Sequence, residues 1–177
     1  KLIYAEYIFA QSIRNVGQNQ GVLAYNLINT AVKLNPYSDR YHLFSSAINL
    51  ALAEALSTKA EINDEDKANI SKLVQQSIRE GKAAVAVAKY KSSNWESLSD
   101  TYRKLVSFAE GADIFAIESL NQAISLDPIN PILRIKLGSL YFSQTKYDLA
   151  IDTFKLAIVA KPDLPNAHYN LAIAYKE

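Results

Sequence analysis

Along residues 131–162, small and bulky apolar residues recur in an order that predicts two paired helices. Leu137, Gly138 and Tyr141 fall on one face of a helix that Pro131 opens; Ala150, Phe154 and Ala157 fall on one face of a second helix that Pro162 ends. A small residue on each helix, Gly138 and Ala150, permits close antiparallel approach, and Leu137, Tyr141 and Phe154 fill the space around the crossing. A large side chain at Ala150 would overpack the pair by about 1–3 kcal/mol. With Gly138 set as position 8, the others fall at positions 7 (Leu137), 11 (Tyr141), 20 (Ala150), 24 (Phe154), 27 (Ala157) and 32 (Pro162), which supplies a ruler for the remaining chain.

Leu2, Ile3, Tyr4, Tyr7, Ile8, Phe9 and Ile13 form a broad apolar stripe at helical spacing, so residues 1–15 are a predicted helix, and the polar stretch with Gly17 and Gly21 is a turn. Ala24, Ile28, Ala31 and Pro36 then take positions 20, 24, 27 and 32. Further on, Trp95, Leu98, Ser99 and Tyr102 match positions 4, 7, 8 and 11, and Ala116, Leu120, Ala123 and Pro128 match 20, 24, 27 and 32. Leu171 and Tyr175 open one more unit before the sequence stops at Glu177. The predicted organisation is a single domain over 1–177, with repeats at 1–36, 37–91, 92–128 and 129–162 and a half repeat at 163–177.

Pro36 and Pro128 hold the same position yet lie 92 residues apart, 24 more than two units of 34 require. Residues 40–59 and 63–90 stay apolar-rich without proline, so lengthened helices absorb most of the surplus, with a turn at Leu56 to Ile62. Asn63 before Asp64, Glu65 and Asp66 reads as a helix start, a capping side chain followed by acids at the positive end of the helix dipole. Ser93 with Glu96 reads as a capping box, and Ser107 to Gly111 as an extension of the helix that Trp95 opens. Neither Lys89 nor Tyr90 is a proline, so the register of the 37–91 repeat stays open by one residue.

The order Leu137-Gly138, Tyr141, Ala150, Phe154, Ala157, Pro162 resembles the signature of the tetratricopeptide repeat (TPR). The resemblance implies an all-α fold, a right-handed superhelical solenoid of antiparallel helix pairs, with extended helices in the middle repeats. Arg134 departs from the family at position 4, where an aromatic residue is common; its stem would cover the same surface while the guanidinium stays wet. His42 and His168 hold the same position in their own repeats, as packing histidines.

Composition adds exclusions. Nineteen basic and 18 acidic residues leave a net charge of +1, with no electrostatic footprint for nucleic acid. No apolar run approaches a membrane span, and 49% hydrophobic with 21% charged residues is an ordinary soluble composition. Without cysteine there is neither disulfide nor thiolate chemistry. The missing initiator methionine and the half repeat at Glu177 predict a piece of a longer chain. Glu96-Ser97 and Glu118-Ser119 superficially resemble the Glu-Ser pair of lytic transglycosylases, over two residues only. No catalytic residue, metal ligand or cofactor is expected, and no enzyme activity.

What the family resemblance implies is a concave face lined by first-helix positions 2, 5, 9, 12 and 13, binding a protein or peptide partner. Carried onto this chain, the face includes Arg40 and Leu43, then Glu96, Asp100 and Arg103, then Ile135, Ser139 and Phe142, then Tyr169 and Ile173. Chaperone-binding members clamp a terminal carboxylate with Lys and Asn at positions 5 and 9, and Ile135, Ser139, Tyr169 and Ile173 depart from that. A second resemblance joins Leu34-Asn35-Pro36-Tyr37, Asn94-Trp95-Glu96-Ser97-Leu98 and Ala109-Glu110-Gly111-Ala112-Asp113 to TPR regions that follow O-antigen-ligase-like membrane segments in some bacteria. It implies a non-catalytic, extracytoplasmic tail of a membrane-anchored glycan-polymerase or ligase-like enzyme, itself without a membrane insertion.

Overall fold

The computed structural model describes residues 1–106 and 109–177. Among these residues nine α-helices follow one another without a strand: α1 Leu2–Gly17, α2 Gly21–Leu34, α3 Asp39–Ser57, α4 Asp64–Val87, α5 Ser92–Lys104, α6 Ala112–Leu126, α7 Pro131–Ser143, α8 Tyr147–Ala160 and α9 Pro165–Ala174. They form two compact units, Lys1–Lys89 with α1 to α4 and Tyr90–Glu177 with α5 to α9. Within each unit a helix packs chiefly on its hairpin partner, α1 on α2, α3 on α4, α5 on α6 and α7 on α8, and next on the following hairpin.

The second helix of each hairpin supplies the interior. Ala24, Ile28 and Ala31 on α2, Ala116, Leu120 and Ala123 on α6, and Ala150, Phe154 and Ala157 on α8 each keep 2% or less of their surface exposed. Their small residues let the first helix sit close. At the reference crossing, a Cβ on Gly138 would lie 2.5 Å from Cε1 of Phe154, so this position admits no side chain without displacing a buried ring.

The other hairpins place a buried serine at position 8 and use its hydroxyl as a clasp. Ser12 Oγ donates to the Ala24 carbonyl at 2.7 Å, and Ser99 Oγ donates to the Ala116 carbonyl at 2.7 Å. In the second hairpin the clasp is reciprocal, Ser46 Oγ reaching the Ser77 carbonyl and Ser77 Oγ the Ser46 carbonyl, both at 2.9 Å. A hydroxyl buried this way fills the space of a small residue and finds an acceptor, so it costs little to bury.

These clasps measure the hairpins. Ser12 and Ala24 are 12 residues apart, Ser46 and Ser77 are 31, and Ser99 and Ala116 are 17. The second hairpin is therefore 19 residues longer than the first and the third five longer, which accounts for the whole surplus of 24. In the second hairpin the excess is helical, in α3 of 19 residues and α4 of 24. Helix α3 continues through Ser57, past the predicted start of the turn at Leu56, because Ala53 still packs inside. In the third hairpin, the predicted helical extension over Ser107 to Gly111 is corrected where it can be described. Helix α5 ends at Lys104, Ala109 to Gly111 form a bend and turn, and Gly111 starts α6 with φ 75°, a conformation suited to glycine. Ser107 and Phe108 lie outside the described residues.

Helix ends follow one rule. The last backbone bond runs to the position-27 carbonyl: Asn35 N–H to Ala31, Ala88 to Ala84, Asp127 to Ala123 and Lys161 to Ala157. The next residue is Pro36, Lys89, Pro128 or Pro162, so Lys89 holds position 32 of the second repeat. Proline suits this place because it lacks the N–H that would continue the helix, and Lys89 shows that the stop does not require it.

Position 4 of the following helix then secures the turn. His42 Nε2 bonds the Pro36 carbonyl at 2.9 Å and His168 Nε2 the Pro162 carbonyl at 2.7 Å, while the Arg134 guanidinium donates to the Pro128 carbonyl. The Arg134 bond lies at the exposed surface, so the guanidinium stays in contact with solvent as expected and also pairs with a carbonyl of the turn.

Helix starts divide. The predicted cap at Asn63 is present, its side chain accepting from Asp66 N–H at 2.7 Å while the Asp66 carboxylate accepts from Asn63 N–H at 3.4 Å. The Lys59 ammonium, 2.6 Å from Asp66, holds that carboxyl below its usual range and ties the α3–α4 turn to the cap. Asn63→Ala is expected to lower stability by about 1 kcal/mol, read as a shift in the urea midpoint at constant slope.

Asn130 also caps as expected, accepting from Ile132 N–H at 3.1 Å with Pro131 at the first helical position. The predicted box of Ser93 and Glu96 does not form. Helix α5 begins two residues earlier with Lys91 as its cap; Ser92 Oγ reaches the Ala123 carbonyl at 2.9 Å, and Glu96 turns to another helix.

Candidate functional site

In the Tyr90–Glu177 unit, the first helices α5, α7 and α9 carry eight of the ten candidate groove residues. Lys136 on α7 lies 2.7 Å from Glu96 and 2.6 Å from Asp100, one turn apart on α5, and Arg103 lies 3.4 Å from Asp100. Burial lowers the Lys136 pKa, but bonds to Asp100 and Glu96 outweigh it, so the ammonium stays charged above its ordinary range. Glu96 and Asp100 are thus tied to a lysine 36 to 40 residues away that residue spacing did not reveal. This is a neutralised strut between α5 and α7, with Arg103 its most exposed member.

The apolar candidates separate into packed and free residues. Phe142 belongs to its own hairpin, packed on the cluster of Ala150, Phe154 and Ala174 and meeting Tyr147 edge-on at 5.3 Å. Ile135 and Ile173 are half-buried, and Ser139 is exposed with its hydroxyl on the Ile135 carbonyl at 2.9 Å. Tyr169 stands 67% exposed on α9, and Ile132, one turn before Ile135 on α7, is 43% exposed. Helices α7 and α9 are in contact, so these four apolar residues belong to neighbouring helices.

The Lys1–Lys89 unit holds Arg40 and Leu43. Arg40 lays its guanidinium 5.1 Å above the Phe9 ring and 3.8 Å from Glu6; Leu43 is half-buried on the same helix. Beside Ala47, at position 9 of α3, opens a cavity of about 500 Å³ walled by Val16, Val22, Phe44, Ile48 and Ala51 among others, where Asn19 supplies the sole polar side chain. Ala47 was legible as a concave position. The walls from α1 and α2 were not, because they come from a different hairpin.

His42 is buried, as its packing role predicts, and is also paired with a carboxylate. Its Nδ1 lies 2.7 Å from the Glu80 carboxylate, whose other oxygen accepts from Arg79 at 3.0 and 3.1 Å. The bond to Glu80 raises the His42 pKa, burial opposes it, and the Pro36 carbonyl adds to the rise. Burial likewise pushes Glu80 up, and the bonds from His42 and Arg79 outweigh it, leaving the carboxyl below its usual range. Both ring nitrogens face acceptors, an arrangement that only the imidazolium satisfies in full.

Among the described residues no cluster of three His, Asp or Glu could hold a metal, and no helix is long and apolar enough to cross a membrane. In the Glu-Ser pairs, Glu96 is tied to Lys136 while Ser97 bonds the Ser93 carbonyl, and Ser119 is buried.

Residues 138–177 match the family model for the TPR repeat. Solved structures extend the likeness over nearly the whole chain. A MamA protein superposes with a TM-score of 0.71 at 17% identity, covering 97% of this chain and 81% of its own. The fold is that of the tetratricopeptide repeat. TTC0263, a thermophilic TPR protein of Thermus thermophilus, gives a TM-score of 0.64 at 21% identity over 97% of this chain and 81% of its own. A chain of the Cut9–Hcn1 hetero-tetramer of the APC/C gives 0.64 at 16% identity over 94% of this chain and 29% of its own. No curated protein matches the chain. At these identities the likeness establishes fold, and the TPR fold in general is a scaffold for protein interaction that offers extended concave surfaces to partners.

Proposed function

We propose that this TPR chain is a protein-interaction scaffold whose first-helix face holds an apolar-faced segment of a partner protein. The observation that supports this most is the pair of neighbouring helices α7 and α9 presenting Ile132, Ile135, Tyr169 and Ile173, with Tyr169 largely and Ile132 partly in solvent. The strut of Lys136 with Glu96 and Asp100 satisfies most charge on the α5 side; Arg103, in a solvent-exposed pair with Asp100, can turn to an acidic group of the partner, and Ser139 can hydrogen-bond it. In the other unit, Arg40 and Leu43 flank the face on which the apolar cavity opens.

Aromatic and arginine side chains dominate interface energies, so Tyr169 and Arg103 are the expected anchors, and Phe142 serves by packing. On a peptide array, the combined Tyr169→Ala and Ile135→Ala variant is expected to lose about tenfold or more in binding while its helical circular dichroism is unchanged. Full binding by that folded variant would remove the face from the account.

A further inference from the structure

The first and second hairpins meet at the α2–α3 turn, residues 35–38, and one side chain holds that turn from both sides. Ring nitrogen Nε2 of His42 donates to the Pro36 carbonyl of the turn at 2.9 Å, and Nδ1 donates to the Glu80 carboxylate on α4 at 2.7 Å. We propose that His42 is a proton-operated latch on this joint: as an imidazolium it ties the turn to α4, and on losing a proton it releases the Pro36 carbonyl.

The chemistry requires a choice. A neutral imidazole has one N–H, and two acceptors face it. A bond to a carboxylate is stronger than one to a neutral carbonyl, and Glu80 is held in place from its other oxygen by Arg79. The remaining proton therefore stays on Nδ1. The Nε2 lone pair then faces the Pro36 oxygen, and the two repel.

The charges around the ring come from each element packed on it. Helix α4 contributes Glu80 and Arg79, and α3 itself contributes Asp39. On α1, Glu6 pairs with Arg40, and the one charged residue of α2, Lys33, is exposed. Acidic partners predominate, and the ring keeps its proton above the ordinary 6.5. The latch is therefore closed at and below 6.5 and opens only as the pH rises through the raised value.

Its consequence reaches the cavity. Helix α2 runs for 14 residues, about 20 Å at 1.5 Å per residue, from Gly21 and Val22 in the cavity wall to the joint at its other end. A loosened joint frees α1 and α2 to shift against α3, changing the opening between Val22 and Ala47. The latch stands apart from the binding role proposed for the face, and its test reads no partner.

His168 is the internal comparison. Its Nε2 bonds Pro162 in the equivalent turn, with no carboxylate on Nδ1 among the described residues.

The test follows the side-chain nitrogens of His42 by NMR in the whole chain from pH 6 to 10, with hydrogen exchange of the Asn35, Tyr41 and His42 amides corrected for intrinsic rates. Two protonated nitrogens at pH 6, one at Nδ1 after titration, and about a tenfold loss of protection at those amides through the same midpoint are expected, with α7 and α8 unchanged. In His42→Gln the step should vanish; should that variant not fold, the unaltered chain decides alone. A ring already neutral at pH 6, a ring that does not titrate in the range, or protection that stays level through its titration would each overturn the latch.

Discussion

Glu80→Ala is expected to lower the unfolding free energy by about 3–5 kcal/mol near pH 6, because it leaves an imidazolium buried without its counter-ion. Both side chains are close to fully enclosed, at 9% and 11% exposure, so water cannot take the lost partner's place. The substitution also frees Arg79, but that group is two-thirds exposed and water solvates it.

The pH dependence separates this from an ordinary packing loss. His42 is raised, so its contribution is full below 6.5 and is lost as pH rises through the raised value. Glu80 is lowered, so its contribution is full above 4.5 and is lost as pH falls through the lowered value. The pair therefore stabilises most between those limits. Without Glu80 the ring sheds its proton more easily, so the deficit of the variant should be largest near pH 6 and shrink toward pH 9. Urea unfolding at the two pH values checks this, and an equal deficit at both would assign the loss to packing alone.

Phe154→Ala is expected to cost about 3–5 kcal/mol. The ring is 2% exposed, fills the crossing against Gly138 and anchors the cluster that includes Ala150 and Ala174. Truncation leaves a cavity in an interior that collapses only partly, because Ala150 and Ala157 on the same helix cannot reach across it. The companion prediction concerns Gly138. An alanine there removes a poor helix former, worth about 1 kcal/mol, yet its Cβ would overlap a buried aromatic edge, and overpacking outweighs propensity.

Which parts were legible follows from distance along the chain. The hairpins were, because Gly138, Ala150 and Phe154 lie within 16 residues and their small-and-large order is a packing code. The lengthened second hairpin was too, from proline spacing and the cap at Asn63. The start of α5 was misread, since the local pair Ser93 and Glu96 loses to partners on other helices: Ser92 takes the Ala123 carbonyl and Glu96 takes Lys136. Glu80 gave no sign of its role, since its histidine is 38 residues away and helical periodicity places both on packed faces without saying that they meet.

At the candidate site, the exposed members Tyr169 and Arg103 were readable from repeat position. The packing of Phe142 against the core and the place of Asp100 in a strut were not, because position on the ruler names a face and leaves open which neighbour covers it. The role of position 4 is set by the fold, where chemically different side chains, His42, Arg134 and His168, converge on the equivalent carbonyls of Pro36, Pro128 and Pro162.

The fold rests on helices crossing where Gly138 meets Phe154, and the effect of one methyl group in two backgrounds measures that contact. Gly138→Ala should destabilise the unaltered chain by about 1–3 kcal/mol. In the Phe154→Ala background, where no ring opposes the new Cβ, it should stabilise by about 0.5–1 kcal/mol through helix propensity. A sign that reverses between the two backgrounds is the predicted result, and a change of the same sign and size in both would contradict the crossing.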